Sequence, residues 1–132
     1  MESELRAALL QWLRDDPALA NAINLIAEET PLEANPPWLG IAASASADWS
    51  VKDRKGREVR LALELHLRSD DASAGSALVS TIDARIDAFP REQAAFEVAN
   101  TTFLRARAER RPRNRRAILL EYRFRLLASE AA

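Results

Sequence analysis

The stretch Val59-Arg-Leu-Ala-Leu-Glu-Leu-His-Leu-Arg68 decides the fold, because valine or leucine occupies every second position along it. Successive side chains of a β-strand point to opposite faces of its sheet, so one face of this segment is apolar and the other is polar. The pattern predicts a strand over residues 58–68 that is buried on one face only. Such a strand needs further strands beside it and a layer of helices over its apolar face.

Three further strands are predicted around this one. A short apolar segment, residues 38–43, precedes it, and two more strands are expected at about residues 95–105 and 115–128. In the last of these, large apolar residues again alternate with mostly charged ones. The arginine-rich segment 110–115 is the expected turn between the final two strands.

Two helices are predicted from apolar residues at helical spacing. The first has its apolar stripe between Leu5 and Leu13, with Ser3 expected to cap its start and Asp15-Asp16-Pro17 to end it. The second follows the capping segment 69–71 and ends at Pro90. Its expected buried residues are Ala74, Leu78, Ile82, Ile86 and Phe89.

Residues 17–36 are open to two interpretations, because Leu19, Ala22, Ile23 and Ile26 suit a helical face while residues 23–27 suit a short strand. Leaving that segment aside, the order is α-β-β-α-β-β. Strands joined by hairpins favour antiparallel pairing. We therefore predict an α+β fold with a mainly antiparallel four-stranded sheet and two helices packed on one face.

The composition bounds the class of protein. A chain of 132 residues with 48% hydrophobic and 30% charged residues is expected to form one soluble domain, residues 1–132. No apolar run approaches the roughly 20 residues that span a bilayer, and the first residues do not resemble a signal peptide. We expect an intracellular protein without membrane contact. The absence of cysteine excludes disulfides and thiolate chemistry.

The net charge of −1 conceals a polarity along the chain. Residues 1–50 contain eight acids and two bases, whereas residues 101–125 contain nine bases and two acids. One interpretation is a molecule with two electrostatically different sides, which could stack head to tail or face a nucleic acid. The other is a coding bias of a GC-rich genome, since seventeen of the nineteen bases are arginine.

The sequence contains no motif of a known catalytic or cofactor site. His66 is the only histidine, so no histidine pair is available for a metal, and three glycines cannot form a phosphate-binding loop. The acidic doublets 15–16 and 70–71 lie where helices end or begin, which is their ordinary place. We expect neither an enzyme nor a cofactor.

The arginine-rich turn supports two hypotheses. Arg110, Arg111, Arg113 and Arg115 could contact phosphates, which favours a small nucleic-acid-binding domain. No aromatic residue is interleaved among them to stack on bases, and arginine is equally suited to protein interfaces. A solvated or subunit-contacting hairpin is the alternative.

Several motifs in order give the chain a resemblance to a known family. They are Asp48-Trp-Ser-Val-Lys-Asp53 with Gly56-Arg-Glu58, the opening helix, Pro37-Trp-Leu-Gly-Ile41, and Arg116-Ala-Ile-Leu with Tyr122-Arg-Phe-Arg-Leu126. Together they resemble the small tail-terminator, or tail completion, proteins of long-tailed bacteriophages and gene-transfer agents. The resemblance covers nearly the whole chain, and no single motif in it is exclusive to the family.

The resemblance implies a structural, non-enzymatic role. Such a protein is expected to form a hexameric ring that caps the tail tube, ends its growth and joins a head-tail connector or neck protein. DNA would pass through the lumen without specific binding. The protein would be cytoplasmic during assembly and then lie at the top of the tail. A related alternative is a neck or head-completion protein.

The motif around Trp49 is the proposed assembly element. We expect a hairpin over residues 48–58 in which Gly56 permits the turn. Trp49 would either close over the core of its own subunit or dock on the next subunit. The predicted interface residues are Asp48, Trp49, Ser50, Lys52, Gly56, Arg57, Glu58, Arg110, Arg111, Arg113 and Arg115.

Overall fold

The computed structural model describes residues 1–29, 34–68, 70 and 72–129. Three helices and five strands are present in this part of the chain. In chain order they are α1 (Glu2–Arg14), α2 (Pro17–Ala22), β1 (Leu25–Ile26), β2 (Trp38–Asp48), β3 (Gly56–Arg68), α3 (Ala72–Asp87), β4 (Phe96–Arg111) and β5 (Arg115–Ala128).

The strands form one sheet in the order β1-β2-β3-β5-β4. All neighbouring pairs are antiparallel except β1 and β2, which are parallel. The α+β class is confirmed, but the prediction of four strands and two helices is wrong in its numbers. β1 has two residues and α2 has six, so neither is long enough to show a periodic pattern.

Both interpretations of the segment after α1 hold, one after the other. A helix occupies residues 17–22 and a strand occupies residues 25–26. This strand pairs with the start of β2, where Leu25 lies opposite Trp38. Residues 30–33 lie outside the described part of the chain. Two strands are longer than predicted, because β2 continues to Asp48 and β4 to Arg111.

The helix boundaries follow the sequence with one correction. Ser3 is not the cap of α1, because the helix begins at Glu2 and Met1 is its N-cap residue, with no side-chain cap hydrogen bond. Asp16 instead caps α2, where its carboxylate accepts the backbone N–H of Ala18 at 3.1 Å. The capping residues Ser69 and Asp71 predicted for α3 lie outside the described residues, as does the side chain of Ala74.

The core lies between the helices and one face of the sheet. The predicted apolar faces of β3 and β5 are buried there, as are Ile82 and Ile86 of α3 and Phe89, which follows the end of the helix at Asp87. Leu78 of the predicted helix face is only partly buried. These strand residues are Val59, Leu61, Leu63, Leu65 and Leu67 of β3 and Leu120, Tyr122, Phe124 and Leu126 of β5. The alternation in the sequence thus corresponds to one dry and one solvated face.

Polar contacts fix α1 and α3 relative to each other and to the sheet. The indole N–H of Trp12 donates to the backbone oxygen of Arg85 at 2.7 Å, and Arg85 Nε donates back to the oxygen of Trp12 at 3.0 Å. Tyr122 donates its hydroxyl to Asp83 at 2.6 Å. Burial and this carboxylate raise the pKa of Tyr122 far above its usual value, so it stays protonated.

Candidate assembly surfaces

The loop between β2 and β3 is closed by hydrogen bonds between its two arms. Val51 and Arg54 pair across its tip, so Lys52 and Asp53 form the turn. Ser50 Oγ donates to Asp48 Oδ1 at 2.7 Å and accepts the N–H of Gly56 at 3.1 Å. Asp48, Ser50 and Lys52 are exposed. The loop therefore holds a defined shape and presents polar side chains to solvent.

Gly56 is needed at this loop for a reason other than the one predicted. It has no positive φ, and it starts β3 rather than forming the turn. A Cβ at this position would collide with the backbone oxygen of Trp49 and would lie 2.8 Å from the oxygen of Leu126. The glycine is thus required by the close approach of two neighbouring backbones.

Trp49 lies on the face of the sheet opposite the helices, which we call the open face. This face carries Glu58, Arg60, Glu64 and His66 of β3 and Glu121, Arg123 and Arg125 of β5. Trp49 is partly buried there, with the guanidinium carbon of Arg125 5.5 Å from its ring centroid. It does not belong to the hydrophobic core cluster on the helix side.

Arg57 and Glu58 follow each other in sequence but belong to opposite faces. Arg57 approaches Glu2 of α1 and Asp48, each at 3.3 Å, on the side of the helices. Glu58 accepts a hydrogen bond from Arg125 at 3.1 Å on the open face. The loop is thereby fastened to α1 on one side and to β5 on the other.

The arginine-rich turn lies at the far end of the sheet from this loop. Arg110 and Arg111 are the last residues of β4 and Arg115 is the first of β5. Arg113 and Asn114 between them have positive φ values of 62° and 58°. Since β3 runs from one end to the other in 13 residues, the two predicted segments lie about 40 Å apart. They are two surfaces and not one site.

Acidic side chains partly neutralise the arginines near this turn. Arg111 approaches Glu109 at 2.9 Å and Glu64 at 3.3 Å, and Arg107 approaches Glu109 at 3.0 Å. Arg105 is paired with Glu121. The ion pairs lower the positive potential that a phosphate backbone would meet at Arg111 and along the end of β4.

His66 lies near this end and is part of a stacked pair. Its ring stacks on Trp38 with 3.7 Å between the centroids, and its Nε2 lies 2.5 Å from Glu64. Burial lowers the pKa of His66 below its ordinary value of 6.5, although Glu64 opposes the shift. The ring is therefore neutral at pH 7 and packs against Trp38.

The structure shows two exposed strand edges, and the sequence did not identify which strands form them. The β2 edge, residues 42–48, and the β4 edge, residues 103–111, lie on opposite sides of the sheet. Every residue from 42 to 48 and from 103 to 108 is exposed, including Phe103 and Leu104. The run of alanine and serine in the β2 edge was the available signal, since it provides neither bulk for a core nor charge for a solvated strand.

The β2 edge borders an acidic cleft. The cleft has a volume of about 480 Å³, and α1 together with the segment after β1 forms its other wall. Its charged lining residues are Glu2, Arg6, Glu28 and Glu29. Among the described residues, no cluster of potential ligands could hold a metal ion, and no helix of this part of the chain is long and apolar enough to cross a membrane.

Comparison with known proteins identifies the family. No curated protein sequence is similar enough to support a comparison. In a structure of the virion of a native gene transfer agent particle, one chain shares this fold, with a TM-score of 0.69 and 22% sequence identity over 95% of this chain and 96% of that chain. The family model of the tail completion protein gp17 matches residues 7–127. The chain therefore belongs to the tail completion protein gp17 family, whose members are structural proteins of phage tails.

Proposed function

We propose that the protein is the tail terminator of a phage, prophage or gene-transfer particle. Six copies form a ring that caps the tail tube, ends its growth and provides the surface that joins the head. Membership of the tail completion family supports this role, as does the occurrence of the same fold in a gene-transfer-agent virion. The partners are the tail-tube protein and a connector or neck protein.

The observation that carries the proposal is the uncovered sheet. The helices pack on one face, whereas the open face and both long edges are left without a covering layer by residues 1–29, 34–68 and 72–129. Soluble monomers usually protect such edges, because unpaired backbone groups bind other strands. In a closed assembly, such edges can instead pair with neighbouring subunits. The proposed role requires no catalytic activity.

The distribution of charge supports passage of DNA without tight binding. Arg105, Arg107 and Arg111 are paired with glutamates of the same chain. A ring lumen lined with unpaired arginines would hold DNA by releasing counterions, and this would hinder its movement. Arginines that are paired with glutamates produce a weaker positive potential.

The test is electron microscopy of tubes made by a particle that lacks this protein. Addition of the purified chain is expected to produce tubes of uniform length with a density at one end. Six copies of the 14.7 kDa chain add about 88 kDa at that end. The control is the same tubes without the chain, which are expected to vary in length.

Tubes of unchanged, variable length would contradict the proposal. Binding at the head opening and not at tube ends would favour a neck or head-completion protein. Retention on DNA at low salt would favour the nucleic-acid hypothesis, provided that it disappears when Arg110, Arg111 and Arg113 are changed to glutamate.

A further inference from the structure

We infer that two copies of the chain join by strand addition, with the β2 edge of one copy paired to the β4 edge of the next. The inference rests on the proposed ring and names the surfaces that close it. The partner at each edge is a second copy of this chain. The resulting sheet continues from subunit to subunit.

On both edge strands, only the first residues are hydrogen-bonded to another segment on their outer side. The segment after β1 covers the start of β2 as far as Ile41, whose N–H approaches the oxygen of Glu28 at 3.4 Å. Residues 91–93 likewise cover the start of β4, where the N–H of Val98 donates to the oxygen of Arg91 at 2.7 Å. Beyond these points, no strand of the described residues pairs with the outer side of β2 or β4.

The β2 edge also lacks the features that prevent strand addition. Its sequence, Ala-Ala-Ser-Ala-Ser-Ala-Asp, contains no proline and only one charge, at Asp48. Edges of monomeric proteins are commonly protected by lysine, proline or bulges. A bulge is present here only at the start, between Ile41 and Ala43. The remaining six residues can accept an incoming strand.

The strand directions permit continuous pairing. β2 is antiparallel to β3, β3 to β5, and β5 to β4, so β2 and β4 run in opposite directions within one subunit. When the β2 edge of one copy is placed beside the β4 edge of another in a continued sheet, the two strands are antiparallel. Because the edges differ, each copy uses one edge of each kind. This head-to-tail contact is the type that closes into rings.

The two edges differ in the sign of their charged residues. The β4 edge contains four bases and one acid, namely Arg105, Arg107, Arg110, Arg111 and Glu109. The cleft beside the β2 edge contains three acids and one base, and Asp48 at the end of the strand is paired with Arg57. Three of the four bases of the β4 edge are paired with glutamates of their own chain. The difference in sign that remains disfavours contact between two β4 edges.

The edges are complementary in size. Phe103 and Leu104, two of the three large apolar side chains that are exposed in the described residues, lie on the β4 edge at 49% and 38% exposure. The β2 edge offers only alanine, serine and aspartate beside them. Large side chains on one strand next to small ones on the other leave room for close approach of the backbones.

Engineered disulfides test the pairing directly, because the chain contains no cysteine. Ser46 is on the helix side of β2, opposite Val59, and Ala106 is on the helix side of β4, opposite Leu120. In a continued sheet these side chains share a face, where paired Cβ atoms lie within about 5.5 Å. The register is scanned with Ser44→Cys or Ser46→Cys against Ala106→Cys or Ala108→Cys.

The experiment mixes one β2-edge variant with one β4-edge variant and oxidises them, both as concentrated protein and in assembled particles. We expect disulfide-linked dimers that contain one chain of each variant, in at least ten-fold excess over dimers of a single variant, for at least one register. A double variant, Ser46→Cys with Ala106→Cys in one chain, is expected to give a ladder up to the ring. Ala84→Cys, on the exposed side of α3, is the control and should not crosslink.

Dimers of a single edge variant only, or no crosslink in particles for any register, would overturn the inference. Tube length measured on the same particles separates this failure from failure of the proposed function. Uniform tubes without mixed disulfides would mean that the protein caps tubes through another interface. Tubes of variable length even with the unmodified chain would mean that the proposed function itself is wrong.

Discussion

The two faces of β3 have the same backbone and opposite environments. On the helix side, residues from Val59 to Leu67 at alternate positions are at most 1% exposed. On the open face, Arg60 is exposed, and Glu58, Glu64 and His66 are partly exposed and contact other polar side chains. One face holds the subunit together. The other contributes less to folding, and we propose it for contacts between subunits.

The energies of the two kinds of contact explain why one face can serve folding and the other assembly. Burial of a leucine side chain stabilises the fold by about 1.5–3 kcal/mol, whereas a surface ion pair contributes about 0–1 kcal/mol. Substitutions on the helix side should therefore act on folding. Substitutions on the open face should act mainly on assembly.

The largest expected effect is that of Leu63→Ala, at the centre of the buried face. Leu63 is fully buried, so the variant loses apolar burial and leaves a cavity. We expect the free energy of unfolding to fall by about 2–5 kcal/mol, measured by urea denaturation. Leu104→Ala is the matched control, because Leu104 is exposed and should change stability by less than about 0.5 kcal/mol. Equal effects would contradict the assignment of the two environments.

The next largest effect is expected for Gly56→Ala, at the point where the loop meets β3. Gly56→Ala places a Cβ against two carbonyl oxygens, so the loop or β5 must shift, and we expect a loss of about 1–3 kcal/mol in urea denaturation. In the control Gly75→Ala, the new Cβ lies 2.6 Å from the flexible end of Leu67, and higher helix propensity offsets the crowding. A smaller loss for Gly56→Ala than for Gly75→Ala would show that this close approach does not constrain the loop.

Trp49→Ala tests the open face. Loss of the contact with Arg125 should reduce stability by about 1 kcal/mol, while the chain stays folded by circular dichroism. If Trp49 docks on the next subunit, the variant fails to cap tubes in electron micrographs. Trp38→Ala, at the other end of the same face, is the control and is expected to keep capping. Unfolding of Trp49→Ala would instead mean that the residue is essential to the monomer.

The smallest expected effect is the titration of His66. Its pKa is lowered in the folded chain, so the unfolded chain binds the proton first as the pH falls. The contribution to stability is complete above about pH 7, and it is lost as the pH drops through 6.5 towards the folded value. His66→Gln should therefore lose less stability than the unmodified chain between pH 7.5 and 5.5. The measurement is urea denaturation at both pH values, and an equal loss would contradict the shift.

The sequence predicted the long periodic elements well. α1, α3, β3 and β5 were placed to within a few residues, because their apolar periods depend only on local order. The short elements α2 and β1 were left open. β1 is held by parallel pairing of Leu25 with Trp38, and no local pattern encodes that contact.

The sequence predicted where the two candidate segments lie along the chain. Both segments singled out in the sequence, around Trp49 and around Arg113, are hairpin ends of the sheet. Their placement about 40 Å apart follows from the pairing of β3 with β5, which the sequence does not specify. Whether either segment contacts another subunit stays a prediction.

The amino-acid sequence by itself determined the secondary structure of the long elements, the buried face of the sheet and, through its resemblance to the tail completion family, the class of protein. Only the tertiary structure decided which strands are edges and which side chains lie along them. The physical reason is that burial patterns follow from the chemistry of successive residues, whereas an edge is defined by the order of strands in space. The surfaces proposed for assembly depend on that order.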